Sequence, residues 1–181
     1  MHRIEKSIEI NVPVNTCYDQ WTQFESFPSF MTGIVEVKQL DDKSLHWVAD
    51  IAGERKEWNA EIIEQTPNEV ISWRSTSGPL NNGSVTFQPL TPDTCKITLI
   101  MTYDTEGAKE KVGDALGLFS ARVSADLHRF ENYIEERQVP TGGWRGVIHE
   151  GKVTQPDTAT HFGASRRDTH RAPEVATYRR K

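Results

Sequence analysis

Few side chains in this 181-residue chain are placed to do chemistry. Period-2 alternation turns Leu45, Trp47, Ala49, Ile51, Trp58, Ala60, Ile62, Ile71, Trp73, Ser75, Val85, Phe87, Ile97, Leu99, Met101 and Tyr103 toward one side of a sheet. Only Ser75 and Tyr103 in that set carry a hydroxyl, and none carries a carboxylate. Glycoside hydrolysis needs two facing carboxylates, and a nucleophilic triad needs a base beside its Ser or Cys. His46 falls on the outer face of its strand, His128 lies off the apolar stripe of a helix, and His2 is terminal. All three read as surface residues, as do Asp126 and Glu131, while Arg74 and Arg122 are the polar wild cards. Arg122 adjoins the apolar Val123. It either pairs at the surface or reaches inward, where a guanidinium binds a carboxylate or polarises a carbonyl. Tyr103, Ser75 and Arg122 are the candidate catalytic groups.

Motif chemistry adds nothing to this set. No GxGxxG, P-loop, HExxH or EF-hand pattern occurs. Gly113 to Gly117 sits inside a helical pattern that follows no strand, so it is no nucleotide loop. Cys17 and Cys95 lack CxxC spacing and are expected as buried free thiols. Two cysteines also exclude a structural zinc site of the usual kind. No metal and no cofactor are expected.

What the inward face does offer is indole. Trp47, Trp58 and Trp73 each bring roughly 150–250 Å² of surface and one N–H that needs a partner when buried. They either fill a core or line a pocket for a flat or ring-bearing molecule. Three indoles exceed the need of a thin sheet-on-helix core, which favours the pocket. Phe87, Leu99, Met101 and Tyr103 belong to the same candidate lining, with Phe119 and Val123 from the helix.

The elements that position these residues read as follows. Ile4, Ile8, Ile10 and Val12 alternate with polar residues as a strand broken once by Lys6. Pro13 ends it and opens a short helix carrying Val14, Cys17, Tyr18 and Trp21. Pro28 suits a second short helix or a break inside one. Six consecutive strands follow from Ile34 to Tyr103, with turns at Asp41-Asp42-Lys43, Gly53-Glu54, Thr66-Pro67-Asn68, Ser77 to Gly83 and Pro89 to Asp93. Such a run favours an antiparallel meander. Val112, Leu116, Phe119, Val123, Leu127, Phe130 and Ile134 then step by 3 and 4, which predicts a long helix over Glu106 to Arg137. Gly107, Gly113 and Gly117 loosen its first half or let the sheet come close. The predicted class is α+β: a curved antiparallel sheet of about seven strands gripping a long helix, with two short helices after the first strand.

Charge divides the chain at the same place. Residues 1–137 carry 13 Lys and Arg against 22 Asp and Glu, and residues 138–181 carry 8 against 4. An acidic body is no nucleic-acid binder. The domain is expected over 1–137. The basic tail over 138–181 is expected to be mostly disordered, touching an acidic partner or the body itself. Trp144 to Val153, around Glu150-Gly151, forms a small hairpin or a docking strip. No run approaches the roughly 20 apolar residues of a membrane span, and no signal peptide opens the chain, so a cytoplasmic location is expected.

The opening Ile8-x-Ile10-x-Val12-Pro13-Val14, then Tyr18 and Trp21, then Phe27-Pro28-Ser29-Phe30-Met31, resembles the polyketide cyclase/dehydrase and lipid-transport superfamily. Val70-Ile71-Ser72-Trp73-Arg74-Ser75 and the closing helix are similar too, so the resemblance spans about residues 3–136. The chain departs from the plant-allergen branch, whose glycine-rich loop is here Leu40-Asp41-Asp42-Lys43-Ser44. The resemblance implies the START-like, helix-grip fold with a hydrophobic cavity between sheet and helix. It implies Trp21 and Phe24 packed inward, and Phe27, Phe30 and Met31 near the mouth, with plain core the alternative for Phe27 and Phe30. It implies binding of a small hydrophobic molecule, such as a lipid, quinone or polyketide-like aromatic. The alternative is an aromatase/cyclase-type enzyme acting through Tyr103, Ser75 and Arg122.

Overall fold

The computed structural model describes residues 1–51, 53–103 and 112–158, with the backbone alone over 112–116. Strand β1 (His2–Ile10) leads through Pro13 into α1 (Val14–Trp21) and a 3-10 helix (Phe24–Ser29). Six strands follow: β2 (Ile34–Gln39), β3 (Ser44–Ile51), β4 (Glu54–Thr66), β5 (Val70–Ser77), β6 (Asn81–Thr91) and β7 (Thr94–Tyr103). Helix α2 is described over Val112–Arg137, and the expected start at Glu106 and Gly107 lies outside the described residues, as do the side chains of Val112 and Leu116. The strand order is β1-β7-β6-β5-β4-β3-β2, antiparallel throughout, so every hairpin neighbour in sequence is a neighbour in space. This is the helix-grip α+β architecture.

Local chemistry sets the turns and the bends. Asp41 Oδ1 accepts from the Lys43 and Ser44 amides at 2.9 and 2.7 Å, closing the β2–β3 turn without glycine. Register shifts between Asn59 and Ala60 and between Ile62 and Glu64 bend β4, and another between Ile34 and Glu36 bends β2. The bent sheet wraps Val123, Leu127, Phe130 and Ile134, all buried on one side of α2. Gly117 does not serve a close approach, because a Cβ there would meet nothing within 4 Å.

Two expected turns are strand instead. Asn81 to Gly83 belongs to β6, with Gly83 opposite Trp73. A Cβ on Gly83 would stand 2.6 Å from the Trp73 ring, so the missing side chain is the space the indole occupies. Pro89 also lies within β6. By then β5 has ended its pairing at Thr86, and the proline ring, with no N–H to donate, faces an unpaired edge while β7 pairs the other side.

Packing continues past residue 137. Strands β8 (Val147–His149) and β9 (Lys152–Gln155) form a hairpin, and β8 pairs with β4 at Gln65. It occupies the edge of β4 that β3 leaves open beyond Glu61. Trp144 and Ile148 are buried in the main core. The expected boundary at 137 therefore falls inside the packed structure; residues 159–181 lie outside the described ones. Among the described residues no helix is long and apolar enough to cross a membrane.

Tyr18 sits where α1 meets this hairpin, fully buried, and accepts from Gln65 Nε2 at 3.0 Å. Burial pushes its phenol up to about 12, against the smaller opposing pull of the Gln65 hydrogen bond. The folded state thus holds the proton that an unfolded tyrosine releases near pH 10. The stability this lends is complete below pH 10 and is lost as the pH rises toward 12, by about 2–3 kcal/mol. Urea unfolding at pH 9 and pH 12 should show that loss, and Tyr18→Phe should flatten the difference. An equal alkaline loss in the variant would refute the buried phenol as its source.

Candidate functional site

A cavity of about 130 Å³ lies between the inner face of the sheet and α2. Alternation builds its floor: Leu45, Trp47 and Ala49 from β3, Trp58 and Ile62 from β4, Ile71 and Trp73 from β5, Leu99 and Met101 from β7. Helix α2 closes it with Phe119, Val123 and Leu127, and the opening aromatic stretch supplies Trp21, Phe24 and Phe27. The rim carries Thr32, Gly33 and Ile51, of which Thr32 and Ile51 are exposed.

Trp47 and Trp58 are opposite residues on β3 and β4, and their rings stack at 5.7 Å with planes 5° apart. Trp73 Nε1 donates to Asn81 Oδ1 at 3.1 Å. Trp47 Nε1 is buried without a hydrogen-bond partner among the described residues. Trp21 stands in the angle between floor and helix, edge-on to Phe130 at 4.8 Å and to Phe27 at 5.6 Å.

Eight of the residues read from the sequence as lining meet in this cavity: Phe27, Trp47, Trp58, Trp73, Leu99, Met101, Phe119 and Val123. Phe30 does not. It is 2 % exposed, packed on Phe130 and Tyr133, with its carbonyl accepting from Arg129 Nε at 3.1 Å. Phe87 is also core, edge-on to Tyr18 and Trp21 under α1. The register of β6 carries it past the cavity toward the short helix.

The candidate catalytic groups separate. Ser75 Oγ donates to Asn82 Oδ1 at 3.4 Å and accepts from the Asn81 amide at 3.2 Å, which ties β5 to the start of β6. Tyr103 packs on Phe119 with ring centroids 4.1 Å apart, outside the cavity lining. Its buried hydroxyl has no hydrogen-bond partner among the described residues, and burial raises its ionisation above the usual phenol range. Arg122 alone of the three lines the cavity. Gly33, at φ +89°, admits it: a Cβ there would stand 3.3 Å from Arg122 Nη1 and 2.8 Å from the Asp50 carbonyl.

Other lining residues were not singled out in the sequence. Asn81 was assigned to a loop, and Gly33 and Thr32 have no periodicity to reveal them. Asp126, read as surface charge, lines the cavity, although its Oδ1 is occupied by the Thr32 amide at 2.9 Å and by Arg129. Its spacing of four from Arg122, one helical turn, was the available signal.

Comparison with known proteins places this geometry. A crystal structure from Deinococcus radiodurans superposes with a TM-score of 0.60 at 25% identity, covering 75% of this chain and 99% of that one. The Zhui aromatase/cyclase from a Streptomyces species superposes at 0.65 with 16% identity, covering 78% and 98%. A START superfamily protein from Mycobacterium smegmatis does so at 0.63 with 16% identity, covering 76% and 99%. In sequence, an uncharacterized 17.2 kDa protein from the melC2-rnhH intergenic region of Streptomyces lincolnensis is 46% identical over 149 residues, which is 82% of this chain and 99% of the relative. Residues 10–130 match the family described as polyketide cyclase/dehydrase and lipid transport, and the chain belongs to that family.

Proposed function

We propose that this protein binds a small hydrophobic, ring-bearing molecule in the cavity between its sheet and α2. The observation that carries this is the stacked Trp47–Trp58 pair walling an otherwise apolar space of about 130 Å³. Apolar space of this order binds benzene when Leu, Ile and Phe line it. One ring with a short arm therefore fits inside, and a longer lipid, quinone or polyketide-like chain projects through the rim at Thr32 and Ile51. Family membership supports the same reading.

A cyclase-type activity is the second reading, supported by the family description and by Arg122 at the cavity. Its hydroxyls are the weak part, since Ser75 holds a hairpin and Tyr103 lies off the lining. Turnover of a polyketone chain that fell on Arg122→Gln would support it, and turnover indifferent to Tyr103→Phe with Arg122→Gln would remove this mechanism.

Native mass spectrometry of protein purified gently from its own cells tests the binding reading. A discrete added mass that organic extraction removes is the expected result. Calorimetry with methyl cinnamate provides the second test. Trp58→Ala should weaken that probe by about tenfold or more, because the stack and the wall both go. An unchanged affinity beside a large stability loss would make the indole pure packing and reject the reading.

A further inference from the structure

The polar groups left unpaired at the cavity share one character: they donate. Arg122 makes no hydrogen bond or ion pair among the described residues, although it lines the cavity beside Gly33. Asn81 turns Oδ1 to the Trp73 N–H, which can only donate, so its NH₂ faces elsewhere. The acidic groups nearby are engaged. Asp126, one turn along α2, holds the Thr32 amide and Arg129, and Asp50 Oδ1 holds the Gly53 amide at 2.9 Å. Asp126 and Arg129 compensate each other, which leaves the Arg122 charge uncompensated at the edge of an apolar space.

Resting on the binding reading above, we infer that the ligand is an acid: an apolar, ring-sized body carrying a carboxylate that Arg122 holds at the rim. A guanidinium matches a carboxylate with two parallel N–H donors, and it does so best where water is partly excluded. The Asn81 NH₂ suits a further acceptor oxygen on the same molecule. A purely hydrocarbon ligand would leave both donors unanswered.

Calorimetry on the full chain with trans-cinnamate and methyl cinnamate separates charge from shape, because the two probes share ring and arm. The expected result is about tenfold or greater preference for the acid. Arg122→Gln should erase that preference by weakening cinnamate while methyl cinnamate changes less than about twofold. Arg122→Lys should restore part of it, and added salt should reduce it. Arg122 is half-exposed, so circular dichroism and the melting temperature of the variants should match the parent. Equal affinity for acid and ester, or a preference that survives Arg122→Gln, overturns the inference and leaves the cavity reading standing. Binding of the ester alone does the same. Binding of neither probe overturns both.

Discussion

Alanine at Trp144 should lower the free energy of unfolding by about 3–5 kcal/mol, the range for an aromatic removed from a core. The residue lies seven positions beyond the end of α2, in a stretch whose composition is polar and rich in glycine. Its indole is nevertheless only 7 % exposed, and its amide donates to Thr22 Oγ1 at 3.0 Å. The segment it anchors completes α1. Gln20, fully buried, exchanges two hydrogen bonds with Thr141, through Oε1 at 2.9 Å and Nε2 at 3.1 Å. Arg145 pairs with Asp19 at 2.5 Å and reaches Asn68 Oδ1 at 2.9 Å, with its guanidinium 5.5 Å from the Tyr18 ring centre. Ile148, fully buried, then caps the end of the core. Ending the chain at Arg137 removes all of this at once and should cost more than Trp144→Ala alone. Urea denaturation of both variants measures it. A truncated chain as stable as the parent would mean that residues 138–158 only rest on the surface. None of Trp144, Thr141, Arg145 and Ile148 lines the cavity, so methyl cinnamate should still bind Trp144→Ala.

That segment also shows where sequence reasoning stops. The meander, the first short helix and the long helix were legible from the recurrence of their apolar residues, at a period of 2 along β3, β4 and β7 and in steps of 3 and 4 through Phe119, Val123, Leu127, Phe130 and Ile134, whereas only Pro28 pointed to the second short helix. Residues 138–149 have no period. Trp144 and Ile148 are single anchors separated by small and polar residues, and what holds them is the edge of β4 beyond Glu61, a feature of the folded sheet. Part of the basic excess beyond residue 137 is Arg145, which is consumed locally by Asp19 and Asn68 of the body.

The lining was legible to the same extent and for the same reason. Strand alternation located Trp47, Trp58, Trp73, Leu99 and Met101 on one face. It could not tell which positions along that face lie over the cavity and which lie over α1. Phe87 shares the face of Val85 yet packs on Tyr18 and Trp21, because β6 runs out from under α2 toward the short helix. Phe30 failed differently: a 3-10 turn places residues three apart on one edge, so Phe27 and Phe30 touch at 5.2 Å while only the first reaches the cavity. Polar residues carry no period at all. Ser75 and Tyr103 had the right parity for the interior, but Ser75 meets Asn82 and Tyr103 meets Phe119 before either reaches the space.

Trp21→Ala should cost about 3–5 kcal/mol in urea denaturation, and its effect on binding should run the opposite way. The indole is 2 % exposed and touches Phe27, Phe87 and Phe130, so deleting it strips contacts from both short helices and from α2. These neighbours are themselves packed aromatics and can collapse only partly. The void left behind adjoins the existing 130 Å³, because Trp21 already forms part of that wall. A site sized for one ring becomes a site for two. Naphthalene should therefore raise the melting temperature of Trp21→Ala by more than that of the parent. At a free concentration one hundred times its dissociation constant it would return about 2.7 kcal/mol, most of the stability lost. Equal stabilisation of the two proteins would show that the space vacated by Trp21 closes up or stays separate from the cavity. The wall between the aromatic core and the binding space would then be more than this one side chain.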